Sequence, residues 1–242
     1  MAVGRRVRAI FFDIDDTLYS TTEFVQKARA NAIKAMVNAG LRADAATLSA
    51  ELSEVVREFS SNDEHHLDRL LLRLPPSARG DANPAVLVAA GMVAYHDTVR
   101  QELRPYEDVL EVLRILASRE VSLGIISSGI AIKQAEKLVR LGVLHYLRPS
   151  AIFIGEQMGM SKTNPKLYIK AADALGLKTA ECMHVGDRPD ADVDPANEAG
   201  MLTVLHARGG PYHSQPGRTA PSYTVHNFWD LLDILKRDFH II

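Results

Sequence analysis

The sequence predicts an α/β protein, a doubly wound, mostly parallel, Rossmann-like sheet interrupted by an inserted all-helical segment. Three observations carry that expectation. From Pro105 onward, short apolar runs alternate with helical periodicities, the pattern left by successive β–α–β crossovers. A lone apolar run, residues 7–12 (Val-Arg-Ala-Ile-Phe-Phe), stands far upstream of them. Between 20 and 103 no strand signal of any strength occurs, only apolar residues at helical spacing.

The elements follow in order. The run 7–12 reads as a buried first strand that ends at acidic Asp13. Phe24, Ala28, Ala32, Ala35 and Met36 mark a helix that Gly40 stops. Leu48, Leu52, Val55, Val56 and Phe59 give an apolar face to a helix over 44–60, and Leu67, Leu70, Leu71 and Leu74 to one over 63–74. The stretch Pro75-Pro76-Ser77-Ala78-Arg79-Gly80-Asp81 breaks the chain, and a further helix runs from Pro84 to about Gln101. Beyond Pro105 come helix 106–118, strand 121–127, helix 130–141, strand 151–154 and helix 165–175. Strand 182–186, a helix near 195–199 and strand 202–206 continue the alternation. A Gly- and Pro-rich loop over 208–221 leads to a short strand at 222–225 and an amphipathic helix at 227–239, whose Phe228 and Trp229 are expected on the sheet. The expected domains are a core of 1–18 plus 104–242 and a helical segment over 19–103.

Composition excludes several function classes. Hydrophobic residues at 47% and charged residues at 24% of 242 suit a globular protein. With 28 Lys+Arg against 30 Asp+Glu, no general attraction to nucleic acid or an anionic membrane is expected; Arg5, Arg6 and Arg8 read as a solvated basic start. Cys182 is the one cysteine, which precludes an internal disulfide and suits a reducing compartment. With no membrane-length apolar run and no signal-like apolar start, a cytoplasmic location is expected.

The chemistry sits at the strand ends, where open α/β sheets bind ligands. Asp13 and Asp15, at i and i+2 after the first strand, suit a nucleophile or metal ligand and a proton donor, although an Asp there also caps helices and forms turns. Ser127-Ser128-Gly129 ends the second strand and offers a hydroxyl and backbone N–H groups to an anion, or a simple N-cap. Lys162 precedes Pro165 at a helix start, an unfavourable place for a cation unless it answers negative charge or is merely solvated. Asp187 after Gly186, with Asp192 five positions on, suits a metal-facing carboxylate and a supporting one. Asp190 and Asp194 read as solvent-facing or capping, and His184 as a core histidine. Asp/Asp, Ser, Lys and Asp/Asp at successive strand ends suit divalent-metal-assisted phosphoryl transfer.

In this order the residues resemble the four motifs of the haloacid dehalogenase superfamily, in the subgroup with a helical cap between its first and second motifs. Asp13-x-Asp15-x-Thr17 resembles the first motif, Ser127 the second, Lys162 the third, and Asp187 with Asp192 the fourth. The segment 162–168 resembles the family's Lys-Pro-x-Pro-x-Ile-Phe pattern with Thr163 in place of the first proline, and Ser128 stands where Asn is common. The resemblance implies a phosphatase acting on a small phosphorylated metabolite: Asp13 as nucleophile, Asp15 as acid and base, and Ser127, Ser128 and Lys162 on the phosphate. It implies Mg²⁺ on Asp13, the main-chain carbonyl of Asp15 and Asp187, with Asp192 in support. A phosphomutase or a non-catalytic binding protein of the same fold are the alternatives; a proton donor at Asp15 argues against a dehalogenase, whose halide leaves unprotonated. The cap implied over 19–103 is expected to choose the substrate, with Arg29 and His66 as candidate contacts, and the protein to be a monomer or homodimer.

Overall fold

The computed structural model describes residues 6–59 and 63–241, so Arg5 and position 60 of the second expected helix lie outside the described residues. In chain order the elements begin with β1 (Ala9–Phe12), α1 (Thr21–Asn38), α2 (Ala45–Phe59), α3 (His66–Arg73), α4 (Pro76–Arg79) and α5 (Pro84–Glu102). There follow α6 (Val109–Ala117), β2 (Ser122–Ser127), α7 (Ala131–Leu141), β3 (Ile152–Ile154), α8 (Gly155–Met158) and α9 (Pro165–Asp173). The chain closes with β4 (Cys182–Gly186), α10 (Asp194–Glu198), β5 (Leu202–His206), β6 (Tyr223–Val225) and α11 (Phe228–Phe239).

The strands form one sheet in the order β3-β2-β1-β4-β5-β6, every neighbouring pair parallel. β1 lies in the middle, with Ala9 opposite both Ser122 and Cys182, so the strand order reverses on either side of it. All four β1 residues are buried, as a strand covered on both faces requires. Successive side chains point to opposite faces. Phe11 meets Phe153 edge-on at 6.0 Å, in a cluster with Leu167, Tyr168 and Ala171 of α9. Phe12 stacks on Phe228 of α11 at 5.7 Å. Burial of each ring contributes roughly 1.5–3 kcal/mol, and the two rings fix β1 from above and below.

Some expectations are corrected. Phe228 is fully buried but Trp229 is 45% exposed, because the buried stripe of α11 runs through Phe228, Leu231 and Leu235 and the next residue turns about 100° away. Phe59, at the last turn of α2, is exposed on one side and carries the Arg69 guanidinium 3.8 Å above its ring. The chain after β4 forms a π-helical turn, Pro189–Val193, before α10. Asp190 is exposed and pairs with Arg188. Asp194 is buried instead of solvent-facing: its carboxylate accepts from the Arg218 and Thr219 N–H groups and the Thr219 hydroxyl, holding the Gly- and Pro-rich loop.

Two compact units result. Arg104–Ile242 joins residues up to Thr22, and Glu23–Leu103 forms the second. Residues 19–22 stay with the sheet because Tyr19 and Thr21 donate to the Asp15 carboxylate and Thr22 to that of Asp16. The two connections run side by side where Tyr106 N–H donates to the Leu18 carbonyl at 3.0 Å. The helical unit has its own core, including Ile33, Met36, Leu48, Leu52, Leu70 and Leu87, and Asn31 donates to Thr98 across α1 and α5 at 2.9 Å. Among the described residues no helix is long and apolar enough to cross a membrane.

His206, fully buried on β5, tests the packing. Its Nδ1–H donates to the Asp16 carbonyl at 3.3 Å, Nε2 meets no partner among the described residues, and Tyr106 and Phe228 flank the ring. Burial lowers its pKa from 6.5 to about 4. The fold therefore holds it neutral while the unfolded chain protonates. Its contribution is fully present above pH 6.5 and is lost as pH falls toward 4, by up to about 3 kcal/mol. His206→Phe is expected to flatten the pH dependence of urea stability over that window; an unchanged slope would reject the assignment.

Candidate active site

The ladder of β1 carries one bond further than the strand itself. Asp13 N–H donates to the Val185 carbonyl at 2.9 Å, which fixes Asp13 where the strand order reverses. The chain then turns sharply, with Leu18 N–H on the Ile14 carbonyl at 3.0 Å and Asp16 left-handed at φ 53°. Asp tolerates that conformation better than most residues. Thr17 is buried, its hydroxyl unpartnered among the described residues.

Other strand ends converge on Asp13. Ser127, the last residue of β2, donates to Asp13 Oδ1 at 3.1 Å. Lys162 arrives from the loop before α9, where Asn164 caps the helix and Pro165 begins it. Its Nζ lies 2.5 Å from Asp13 Oδ1 and 2.5 Å from Asp192 Oδ1. The Thr163 hydroxyl, in the place of a proline, sits 2.8 Å from that of Ser161 and restrains the loop. Asp187 directly follows β4 and is buried. Gly186 is required by close approach, since a Cβ there would lie 2.2 Å from the Asp192 carboxyl carbon. Asp192 is held by the Arg188 N–H at 2.9 Å and by His184 Nε2 at 2.8 Å, and His184 packs edge-on against Tyr168.

The electrostatics separate the carboxylates. Burial raises Asp13 to about 6; Lys162 opposes this, and Asp192 and Asp15 add to it. Burial likewise raises Asp187 to about 9, with Asp192 and Asp13 adding repulsion. Asp192 is buried too, but Lys162 and then His184 outweigh that and lower its pKa. Burial opposes the charge of Lys162, yet Asp13 and Asp192 raise its pKa. Asp192 and Lys162 thus hold their charges as a pair, Lys162 offsets the burial of Asp13 only in part, and Asp187 makes no ion pair among the described residues. Carboxylate oxygens of Asp13, Asp187 and Asp192 lie within 4.8 Å of one another. The Asp192 oxygens are already engaged, so Asp13 and Asp187 are the ones open to a cation. An all-oxygen set short of positive charge fits a hard divalent ion.

Asp15 lies beside this cluster with its carboxylate turned to a different set of donors. Lys137 of α7 reaches both oxygens, at 2.6 and 2.8 Å, and Gln134 reaches Oδ2 at 3.2 Å. Tyr19 and Thr21 donate to Oδ1 at 2.5 and 2.8 Å. Burial would raise the Asp15 pKa, but Lys137, followed by Tyr19 and Thr21, lowers it. Sequence reasoning missed Gln134 and Lys137. The available signal was their i, i+3 spacing on the first turns of the helix that follows Ser127.

The structure therefore brings Asp13, Ser127, Lys162, Asp187 and Asp192 together, with Asp15 adjacent. Ser128 is exposed, and its side chain makes no hydrogen bond among the described residues. Arg29 and His66 belong to the helical unit, Arg29 half-buried on α1 and His66 at the first position of α3. Burial lowers the Arg29 pKa, and Tyr95 of α5 opposes the shift.

The chain is 43% identical over 234 residues to a glyceraldehyde 3-phosphate phosphatase of Methanopyrus kandleri, covering 95% of this chain and 97% of that protein. It is 34% identical to the protein of the same name from Methanocaldococcus jannaschii, covering 95% and 97%. In fold it resembles a putative beta-phosphoglucomutase from Thermotoga maritima, with a TM-score of 0.68, 16% identity, and coverage of 94% of this chain and 99% of that one. Residues 7–200 match the haloacid dehalogenase-like hydrolases. With that match spanning all four strand-end motifs, the chain belongs to the haloacid dehalogenase-like hydrolases, as a phosphoric monoester hydrolase.

Proposed function

We propose that this phosphatase hydrolyses glyceraldehyde 3-phosphate, or a triose phosphate of the same kind, through an aspartyl-phosphate on Asp13, as a monomer or homodimer in the cytoplasm. The observation that carries the reading is the buried Asp13 carboxylate, with Ser127 at 3.1 Å and Lys162 at 2.5 Å. The relatives named for that activity supply the substrate class. They also favour hydrolysis over the mutase alternative.

In the first displacement an Asp13 oxygen bonds to phosphorus as the bond to the leaving alkoxide breaks, and Asp15, which must first take up a proton from solvent against the lowering by Lys137, passes that proton to the alkoxide. In the second, Asp15 takes a proton from water, whose oxygen bonds to phosphorus and releases the Asp13 carboxylate. Lys162 and Ser127 hold phosphoryl oxygens as charge moves between the two, and Asp192 keeps the Lys162 ammonium in place. Asp13, Asp187 and the main-chain carbonyl of Asp15 would hold Mg²⁺, which would supply the positive charge that the dianion and these carboxylates require. We assign selectivity among esters to Arg29 and His66 of the helical unit, and leave Ser128 as a backbone contact to phosphate.

A panel of phosphorylated metabolites, assayed with Mg²⁺ and with EDTA, tests the reading. A triose phosphate is expected to exceed p-nitrophenyl phosphate by at least about tenfold in kcat/KM, a difference of about 1.4 kcal/mol. Release that EDTA leaves unchanged would reject the metal, and a flat panel would reject the substrate class. Arg29→Ala is expected to raise KM for the preferred ester by about tenfold, the loss of one charge-assisted contact; unchanged constants would remove Arg29 from the proposal.

A further inference from the structure

Asp15 is held by two kinds of contact. Tyr19 lies in the same loop as Asp15, and Thr21 opens α1 directly after it. Lys137 and Gln134 come from α7, which begins just past the strand end that carries Ser127. The α7 contacts tie the Asp15 carboxylate to the helix that follows the Ser127 strand end.

The anchor is well fixed. The first N–H of α7, from Ala131, donates to Glu156 Oε2 at 2.6 Å, and Gln134 N–H donates to the Ile130 carbonyl. The Gln134 side chain is buried. Gly129, at φ 103°, makes room for it: a Cβ there would lie 2.8 Å from Gln134 Nε2. Lys137 is 23% exposed, so its pairing with Asp15 is partly shielded from water. Lys162 cannot replace it, being paired with Asp13 and Asp192.

We infer that Lys137, backed by Gln134, is the positioning residue for proton transfer, fixing the Asp15 carboxylate against the phosphoryl site from α7. An aspartate side chain has two free torsions, and misplacing a proton donor by about 1 Å can cost roughly 100-fold. The effect must therefore fall on leaving groups that need a proton. The inference rests on the proposed acid and base role of Asp15.

The experiment compares kcat/KM for glyceraldehyde 3-phosphate, whose alkoxide leaves poorly, with that for p-nitrophenyl phosphate, whose leaving group needs no proton. Asp15→Asn is expected to lose about 100-fold or more on the first ester and far less on the second. Lys137→Met is expected to show the same selectivity at about 10- to 100-fold, Gln134→Ala a smaller version, and Lys137→Arg a partial recovery. Lys137→Met in the Asp15→Asn background is expected to add no further loss, because residues acting as a unit are not additive. Should Asp15→Asn prove unselective, the role of Asp15 fails and this inference with it. Should Asp15→Asn be selective while folded Lys137→Met and Gln134→Ala lose both esters equally, lose neither, or gain activity, the inference alone is overturned.

Discussion

Asp13→Asn is expected to lower kcat for phosphate release by about 10⁴-fold or more while the protein remains folded. Asn keeps the shape of the side chain but cannot form the acyl phosphate. The fold tolerates the change because the native charge is held there against burial, which raises Asp13 to about 6. Lys162 keeps a carboxylate partner in Asp192 at 2.5 Å. Steady-state phosphate release and a thermal melt, run on the same preparation, check both halves. Near-normal turnover in a folded variant would remove Asp13 as the nucleophile.

Asp187→Asn is expected to separate stability from metal response. With a folded pKa of about 9 against 3.8 in the unfolded chain, Asp187 contributes stability that is fully present below 3.8 and lost as pH rises through 9. At pH 7 the metal-free protein has forgone stability at this position, and the neutral amide removes that deficit. The variant should melt higher than the parent in EDTA at pH 7, yet gain nothing from Mg²⁺, which is expected to stabilise the parent by binding the folded state. Turnover should fall with the lost ligand. A lower melting temperature in EDTA, or an undiminished rise with Mg²⁺, would contradict the assignment. A site that is less stable than its amide variant is the expected cost of gathering acids for chemistry.

Much of this was legible because each strand end carries its chemistry locally. The runs that became β1, β2 and β4 are apolar and short, and Asp13, Ser127 and Asp187 sit immediately at or after their ends. The convergence of these ends follows from parallel topology, which the alternation of elements already implied. What could not be read was lateral. Lys137 lies 122 positions from Asp15 on an amphipathic helix, where lysine ordinarily faces water. Asp194 looks like a turn residue until the loop it holds, 24 positions on, folds back over it. Trp229 was misjudged because a tryptophan beside a core phenylalanine suggests burial, whereas one step along a helix changes the face.

The bond between Tyr106 N–H and the Leu18 carbonyl has a consequence for how such proteins diversify. It ties the sheet unit together at the point where the helices of residues 23–103 leave and rejoin. Changes in their length or number load no strand and shift no register. On the proposed assignment of selectivity to the helical unit, recognition and bond-breaking can then evolve on separate schedules within one polypeptide.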